Sequence, residues 1–186
     1  NFRRLLLTFE ALADLGPAVT AERNFPETAQ ALLEAMMEAV GAVEGALFTF
    51  SDKPAVLTSL VWRGFAKFPE TATIPLLPRQ VHALLTARIP QAVTPATRDS
   101  YLSANGNVAP ELFKCVAPLR VGSRLVGVVG LGRREGDAIY DTDELEALGL
   151  LSHYASLAVH NHTLTQSLEY RISENLRLLA SLHNFY

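Results

Sequence analysis

The chain has 186 residues, 49% of them hydrophobic, which is enough for one domain of ordinary size with a proper core. A net charge of −3 and the lack of any Lys/Arg block argue against a nucleic-acid-binding surface. The single cysteine, Cys115, excludes a disulfide within the chain and suits a reducing compartment, so we expect a cytoplasmic location.

The sequence contains no apolar run of the about 18 residues that a membrane span needs, and no signal peptide is visible. The sequence starts without Met and ends inside a helical pattern. We therefore expect it to be a fragment of a longer polypeptide.

Two helices are predicted before the first strand. In residues 2–15, Leu5, Phe9 and Leu12 recur at helical spacing, and Gly16-Pro17 ends the segment. The second helix is predicted from Pro26, which suits a first helical turn, to Gly41. Its apolar residues share one stripe: Ala29, Leu32, Leu33, Met36 and Val40.

A strand pair and a loop-rich insert follow. Residues 45–51 and 55–63 suit a half-buried sheet, and the short turn between them predicts an antiparallel hairpin. Residues 64–112 contain six of the ten prolines, and one short helix is predicted there, at 78–88. An insert of this length inside a domain is usually functional, often because it covers a ligand.

The last third of the sequence predicts a second hairpin and one long helix. The hairpin turns at Gly122-Ser123, and its strand glycines, such as Gly127 and Gly130, fit close backbone approach better than a phosphate-binding loop. The helical pattern runs from about residue 141 to residue 186. Asp141 is predicted to cap it, with Glu144 completing a capping box.

This order of elements predicts an α+β fold with an antiparallel sheet and helices on one face. It resembles the GAF domain over roughly residues 5–168. The motifs that carry the resemblance are Gly45-Ala46-Leu47-Phe48, Ala117-Pro118-Leu119, Leu125-Val126-Gly127-Val128, Tyr140-Asp141-Thr142-Asp143-Glu144-Leu145 and Ala158-Val159-His160-Asn161-His162. The resemblance implies a sheet of about six strands, with two N-terminal helices and a long C-terminal helix on one face. The other face and the insert would form the ligand pocket.

The candidate ligand-binding residues lie in or near the insert, and the ligand or cofactor is unknown. The polar candidates are His82, Thr94, Asp99 and Tyr101, and Trp62 could stack on a flat ligand. Cys115 could attach a bilin or serve as a reactive thiol, but a buried strand cysteine more often acts as a small hydrophobe. The spacing of the five histidines predicts no metal site.

Other GAF activities match the sequence less well. The motif of the cyclic-nucleotide-binding subgroup survives only at Asp143-Glu144, which a helix start also explains. Methionine-(R)-sulfoxide reductases similar to GAF domains use several cysteines, and this chain has one. We therefore expect no enzymatic activity.

The end of the long helix carries an apolar stripe that suits a dimer. Its residues are Leu164, Leu168, Ile172, Leu176 and Leu179. A second copy of the chain would bury this stripe, although a following domain could do so instead. We expect a sensor domain at residues 1–163 and a signalling helix at 164–186.

The leading interpretation is a small-molecule sensor. The ligand would shift the balance between two arrangements of a homodimer formed through the N- and C-terminal helices, and the long helix would pass that bias to an output domain. The alternatives are a ligand-free dimerisation module and a reductase-like enzyme. The sequence identifies neither the ligand nor the output domain.

Overall fold

The computed structural model describes residues 25–183, so the helix predicted at residues 2–15 lies outside it. Three helices flank a six-stranded antiparallel sheet, which confirms the predicted α+β fold. In chain order the elements are α1 (Phe25–Val40), β1 (Gly45–Asp52), β2 (Ala55–Arg63), β3 (Thr73–Pro75), α2 (Pro78–Thr86), β4 (Gln91–Ala92), β5 (Cys115–Val121), β6 (Arg124–Leu131) and α3 (Thr142–His183). Short 3-10 helices lie at Arg98–Ser100, Pro110–Leu112 and Glu135–Asp137.

The sheet is built from the two predicted hairpins, β1–β2 and β5–β6, and its strand order is β3-β2-β1-β6-β5-β4. Pairing of β1 with β6 joins the hairpins at the centre. The short strands β3 and β4 come from the insert and form the two edges. The insert therefore supplies the strand at each edge of the sheet.

Because successive side chains of a strand point to opposite faces of the sheet, the buried residues of the central strands form two core layers. On one face, Leu47, Leu119 and Val129 pack against α1 and α3. On the other face, Phe48 and Val128 pack under the insert. We call these the helix face and the insert face.

Two glycines of β6 lie where another group comes close. A Cβ on Gly127 would stand 2.3 Å from the Phe48 carbonyl oxygen, and a Cβ on Gly130 would stand 2.5 Å from the Phe113 ring. Ordinary side chains do not fit at such distances. The structure thus bears out close approach as the reason for these glycines.

Helix α3 begins in the core and leaves it. Asp141 caps the helix, because its Oδ1 accepts a hydrogen bond from the Glu144 backbone N–H at 2.8 Å. The last buried residue of the helix is Val159. From His160 to His183 it continues for about 36 Å at about 1.5 Å per residue. The predicted boundary at residues 163/164 thus lies inside one unbroken helix, and the division into two domains stays a prediction.

Candidate functional site

The centre of the insert face is filled by side chains. Phe113 makes edge contacts with both Phe48 and Phe65, with ring centroids 5.8 Å apart in each pair. Leu102 and Val108 from the insert are buried in the same cluster. The GAF resemblance implies a ligand pocket between the sheet and the insert. The middle of this region is instead filled by an apolar core.

An open groove lies at the edge of this core, beside Trp62. Its volume is about 640 Å³, and Phe68 and Leu112 also line it. The Trp62 and Phe68 ring centroids are 5.0 Å apart, so the two rings form a continuous aromatic wall. Such a wall can stack on a flat ligand, and Lys67 on the rim can pair with an anionic group. We call this the Trp62 groove.

Another residue lining the Trp62 groove, Asn107, has a structural role. Its Oδ1 accepts a hydrogen bond from the Thr73 backbone N–H at 2.7 Å, and its Nδ2 donates to the Thr71 carbonyl at 3.0 Å. Both ends of the amide therefore bond to the backbone of residues 71–73, where the edge strand β3 begins. The side chain fixes the shape of the groove.

Two predicted site residues organise the insert itself. The Asp99 carboxylate accepts from Arg79 Nη2 at 2.8 Å, and its backbone carbonyl accepts from Gln80 Nε2 at 2.9 Å. Gln80 is fully buried on α2. Asp99 therefore anchors the 3-10 segment to α2, and it lies outside the residues that line the Trp62 groove.

Thr94 forms a turn that positions Arg98. Its backbone carbonyl accepts a hydrogen bond from the Arg98 N–H at 2.9 Å, and its N–H donates to Thr97 Oγ1 at 3.0 Å. Thr94 and Arg98 both line a second groove, between β4 and the start of α3. We call this the α3 groove.

The remaining candidates lie apart from one another. His82 is exposed on α2, whereas Tyr101 is half-buried against the insert-face cluster. Cys115 lies on the helix face and is fully buried. Of the six candidate residues, Trp62 alone lines the Trp62 groove and Thr94 alone lines the α3 groove. That any of these residues binds a ligand stays a prediction.

Cys115 has the environment of a structural thiol. Burial raises its pKa to about 12, and the positive charge of Arg134 only partly opposes this effect. A thiol with that pKa is protonated near neutral pH and is a poor nucleophile. Among residues 25–183, no cluster of three His, Cys, Asp or Glu side chains could hold a metal ion.

Arg134 is a buried residue that the sequence reasoning did not single out. It donates from Nε to the Val40 carbonyl and from Nη1 to the Ile139 carbonyl, both at 2.8 Å. It also forms an ion pair with Glu144, and its guanidinium lies 5.0 Å from the centre of the Tyr140 ring. One side chain thus links the end of α1, the loop before α3 and the first turn of α3.

Burial among these charged and apolar neighbours also raises the pKa of Tyr140. The Tyr140 hydroxyl donates to the Gly132 carbonyl at 3.0 Å, so the ring and its hydroxyl both lie in the same network. Arg134 is buried and its neighbour Arg133 is exposed, but nothing in the sequence around this pair indicates the difference. Only the fold distinguishes them.

Comparison with models of known protein families identifies the family to which this chain belongs. The family model of the GAF domain matches residues 22–160. No curated protein sequence matches the chain significantly. Within residues 25–183, no helix is long and apolar enough to cross a membrane.

Solved structures agree with this match at low sequence identity. A methyl-accepting chemotaxis protein, residues 122 to 287, is 18% identical, with a TM-score of 0.62 over 83% of this chain and 99% of that chain. The phycoerythrobilin-bound GAF domain of a cyanobacterial phytochrome is 14% identical, with a TM-score of 0.64 over 86% and 97%. Free methionine-R-sulfoxide reductase from Neisseria meningitidis, in complex with its substrate, is 16% identical, with a TM-score of 0.62 over 87% and 93%. At these identities the likeness shows a shared fold.

Proposed function

We propose that this chain, which belongs to the GAF domain family, is the small-molecule-sensing regulatory domain of a signal-transduction protein. GAF domains occur in sensor and signalling proteins, and one similar structure holds a bound phycoerythrobilin. The proposal for this chain adds a ligand site, a dimer and a route between them. It also places the protein in the cytoplasm, since a lone cysteine suits a reducing compartment.

The observation that carries the proposal is the continuity of α3. Its first half packs on β5 and β6 inside the core, and its second half extends beyond the core as the same helix. Because a helix is stiff along its axis, a small change in its packing on the sheet also tilts or rotates the projecting half. A ligand that favours one packing would shift the balance of the two arrangements by its difference in affinity.

A second copy of the chain is the proposed occupant of the exposed apolar stripe. Leu164, Leu168, Ile172, Leu176 and Leu179 are between 47% and 62% exposed. The exposed surface also continues onto the body of the domain, where Leu150 and Leu157 precede Leu164 at seven-residue intervals. Leucines at seven-residue intervals match the spacing of a two-helix seam, and the steps of four and three residues after Leu164 keep the stripe on the same side of the helix, so α3 would pair with α3 of a second copy. A domain that follows the chain would cover the projecting stripe but would leave Leu150 and Leu157 uncovered on the body of the domain.

The proposed ligand site is the Trp62 groove. It combines an aromatic wall with Lys67 at its rim, and it lies between β2 and the insert residues 107–112. Because β2 pairs with β1, and β1 with β6, this groove is connected to the strands that pack against α1 and α3. Stacking on Trp62 would therefore act on the sheet that carries the helices.

A ligand-free dimerisation module is the second candidate, and the filled centre of the insert face favours it. Phe48, Phe113 and Phe65 occupy the space in which an enclosed ligand would lie. In this alternative the exposed stripe of α3 would still form a dimer. The two functions differ only in whether a small molecule binds.

A reductase-like activity is not proposed. A disulfide-forming mechanism needs a second cysteine, and the chain has only Cys115. That thiol is buried, and its pKa is raised to about 12. Turnover of free methionine sulfoxide by the purified chain would contradict this inference.

Native mass spectrometry of the freshly purified chain, followed by a thermal-shift screen of a metabolite panel, distinguishes the sensor from the ligand-free module. The sensor predicts a co-purifying small molecule or a compound that raises Tm, and Trp62→Leu should abolish either signal. The matched control is Phe50→Leu, because Phe50 is a half-buried aromatic of β1 that does not line the groove. An empty chain whose Tm no compound changes would favour the ligand-free module.

A further inference from the structure

We propose that the α3 groove binds a small organic anion, with a carboxylate or phosphate group attached to an apolar body. The groove has a volume of about 330 Å³ and lies between β4 and the loop that leads into α3. It is separate from the Trp62 groove, since the two share no lining residue. The proposal does not rest on the sensor function, because binding here can be measured whatever the chain regulates.

Positive charge dominates the lining of the α3 groove. Arg98, Lys114 and Arg133 contribute cationic side chains, and Asp137 contributes the one acidic side chain among the lining residues that the structure describes. Arg134 also lies in the wall, but Glu144 pairs with its charge. An anion in the groove would therefore meet three cations, and the carboxylates beside Arg98 and Arg133 are 3.8 and 4.0 Å away.

The nearby carboxylates leave these cations available. Glu111 Oε1 is 3.8 Å from Arg98 Nη1, which is beyond hydrogen-bond distance, and Glu111 is 63% exposed. Glu44 accepts a hydrogen bond from the Arg133 backbone N–H at 2.9 Å, and its oxygen is 4.0 Å from the Arg133 Nε. Both pairs are long, and each has one member that is 63% exposed, so a ligand can displace or add to them.

Arg98 carries a donor that lacks a partner. Its Nε is buried and has no hydrogen-bond acceptor within the described part of the chain, and only 17% of its side chain is exposed. Buried polar groups in native proteins are nearly always paired, because a buried donor without an acceptor loses its bond to water. The Thr94 turn fixes Arg98 in this position. Because Arg98 lines the groove, an anion that draws its guanidinium toward the groove would give this donor an acceptor.

The other side of the groove is apolar. Val93, Pro95 and Ala138 line it together with Ile139, which is 86% exposed. A volume of about 330 Å³ lies at the lower end of the range of small-molecule sites. Cations on one side and aliphatic surface on the other fit an amphipathic anion better than an inorganic ion.

The position of the groove would connect binding to α3. Its wall includes Ala138, Ile139 and Tyr140, the residues that lead into the helix. The Ile139 carbonyl already accepts from Arg134, which also holds the end of α1 and Glu144 on α3. A ligand that packs on Ile139 would therefore act on the segment that fixes where the helix starts.

Isothermal titration calorimetry on the 186-residue chain tests the proposal with four probes at low salt. Phenyl phosphate and benzoate are the anionic probes, benzyl alcohol is the neutral analogue, and inorganic phosphate lacks the apolar body. We expect at least one anionic probe to bind at least ten times more tightly than benzyl alcohol and inorganic phosphate. Tighter binding of phenyl phosphate indicates a phosphate ligand, and tighter binding of benzoate indicates a carboxylate.

Variants locate the binding in the α3 groove. Arg98→Gln should weaken the better anionic probe at least tenfold and Lys114→Gln at least threefold, whereas Arg124→Gln, at the exposed hairpin turn, should change affinity less than twofold. If Arg98→Gln does not fold by circular dichroism, the exposed Lys114 decides the question. The proposal is overturned if neither anionic probe binds at 20 mM, if either comparison probe binds as tightly, or if Lys114→Gln binds like the unmodified chain.

Discussion

Replacing Arg134 with methionine tests whether one buried guanidinium holds the start of α3 to the end of α1. The side chain is only 8% exposed, and methionine fills a similar volume without the charge. The substitution removes the ion pair with Glu144, which is itself 4% exposed, and leaves that carboxylate in a buried site. It also removes donors to the Val40 and Ile139 carbonyls.

The expected loss of stability follows from these contacts. Breaking a buried ion pair by removing one partner costs about 3–5 kcal/mol, because the remaining charge stays buried after it loses that partner. The two carbonyl hydrogen bonds belong to the same network, so their loss is included in this range. For a domain of this size each 1 kcal/mol lowers Tm by about 2–4 °C, which predicts a Tm lower by about 6–20 °C.

Urea unfolding followed by circular dichroism measures the change. We expect the midpoint to fall with an unchanged m-value, since the surface exposed on unfolding stays the same. Arg124→Met is the matched control, because Arg124 is exposed at the hairpin turn, and its free energy of unfolding should change by about 0.5 kcal/mol or less.

A double-mutant cycle with Glu144→Gln separates the ion pair from the rest of the network. Because the double variant has neither the buried Glu144 charge nor the buried Arg134 charge, it should be more stable than the sum of the two single changes predicts, by about 1–3 kcal/mol. The reasoning is refuted if Arg134→Met costs less than about 1 kcal/mol. It is also refuted if the two changes are additive.

Three further predictions concern the packing of the core. Gly130→Ala should lower the free energy of unfolding by about 1–3 kcal/mol, because its Cβ would meet the Phe113 ring at 2.5 Å, and adding Phe113→Leu should recover part of the loss in urea unfolding. Cys115, whose pKa burial raises to about 12, should contribute stability that is complete below about pH 9 and is lost as the pH rises toward 12. Cys115→Ala should therefore flatten the alkaline decline of Tm, and an unchanged decline would count against this thiol. His162 stacks on Phe25 with ring centroids 3.7 Å apart, and burial lowers its pKa against the opposing effect of Glu169. Its contribution is thus complete above about pH 6.5 and is lost as the pH falls through its depressed pKa, so His162→Phe should show a smaller fall in Tm between pH 7 and pH 5 than the unmodified chain.

The fold was predictable where its signals are local. The hairpin turn at Gly122-Ser123, the apolar stripe of α1 and the Asp141 cap each depend on residues a few positions apart. Their order was enough to predict the antiparallel sheet and the long helix. The resemblance to GAF domains used the same motifs.

The candidate site was less predictable because its contacts join distant segments. The amide of the fully buried Gln80 donates to the distant Asp99 carbonyl, and Arg98 is placed by a turn that begins at Thr94. No periodicity in the sequence reports that Phe48, Phe65 and Phe113 meet on the insert face. The polar residues of the insert were therefore predicted only as candidates, because no local pattern decides which of them face a groove.

Sedimentation equilibrium of the chain tests the central claim that α3 pairs with α3 of a second copy. The account predicts a dimer for the unmodified chain and a monomer for the double variant Leu168→Glu/Leu176→Glu, which places charge on the exposed stripe. Tyr170→Glu is the control, because Tyr170 is 67% exposed but lies on the other side of the helix, and it should stay a dimer. A monomer for the unmodified chain at about 100 μM, or a dimer that survives both glutamates, would contradict the account.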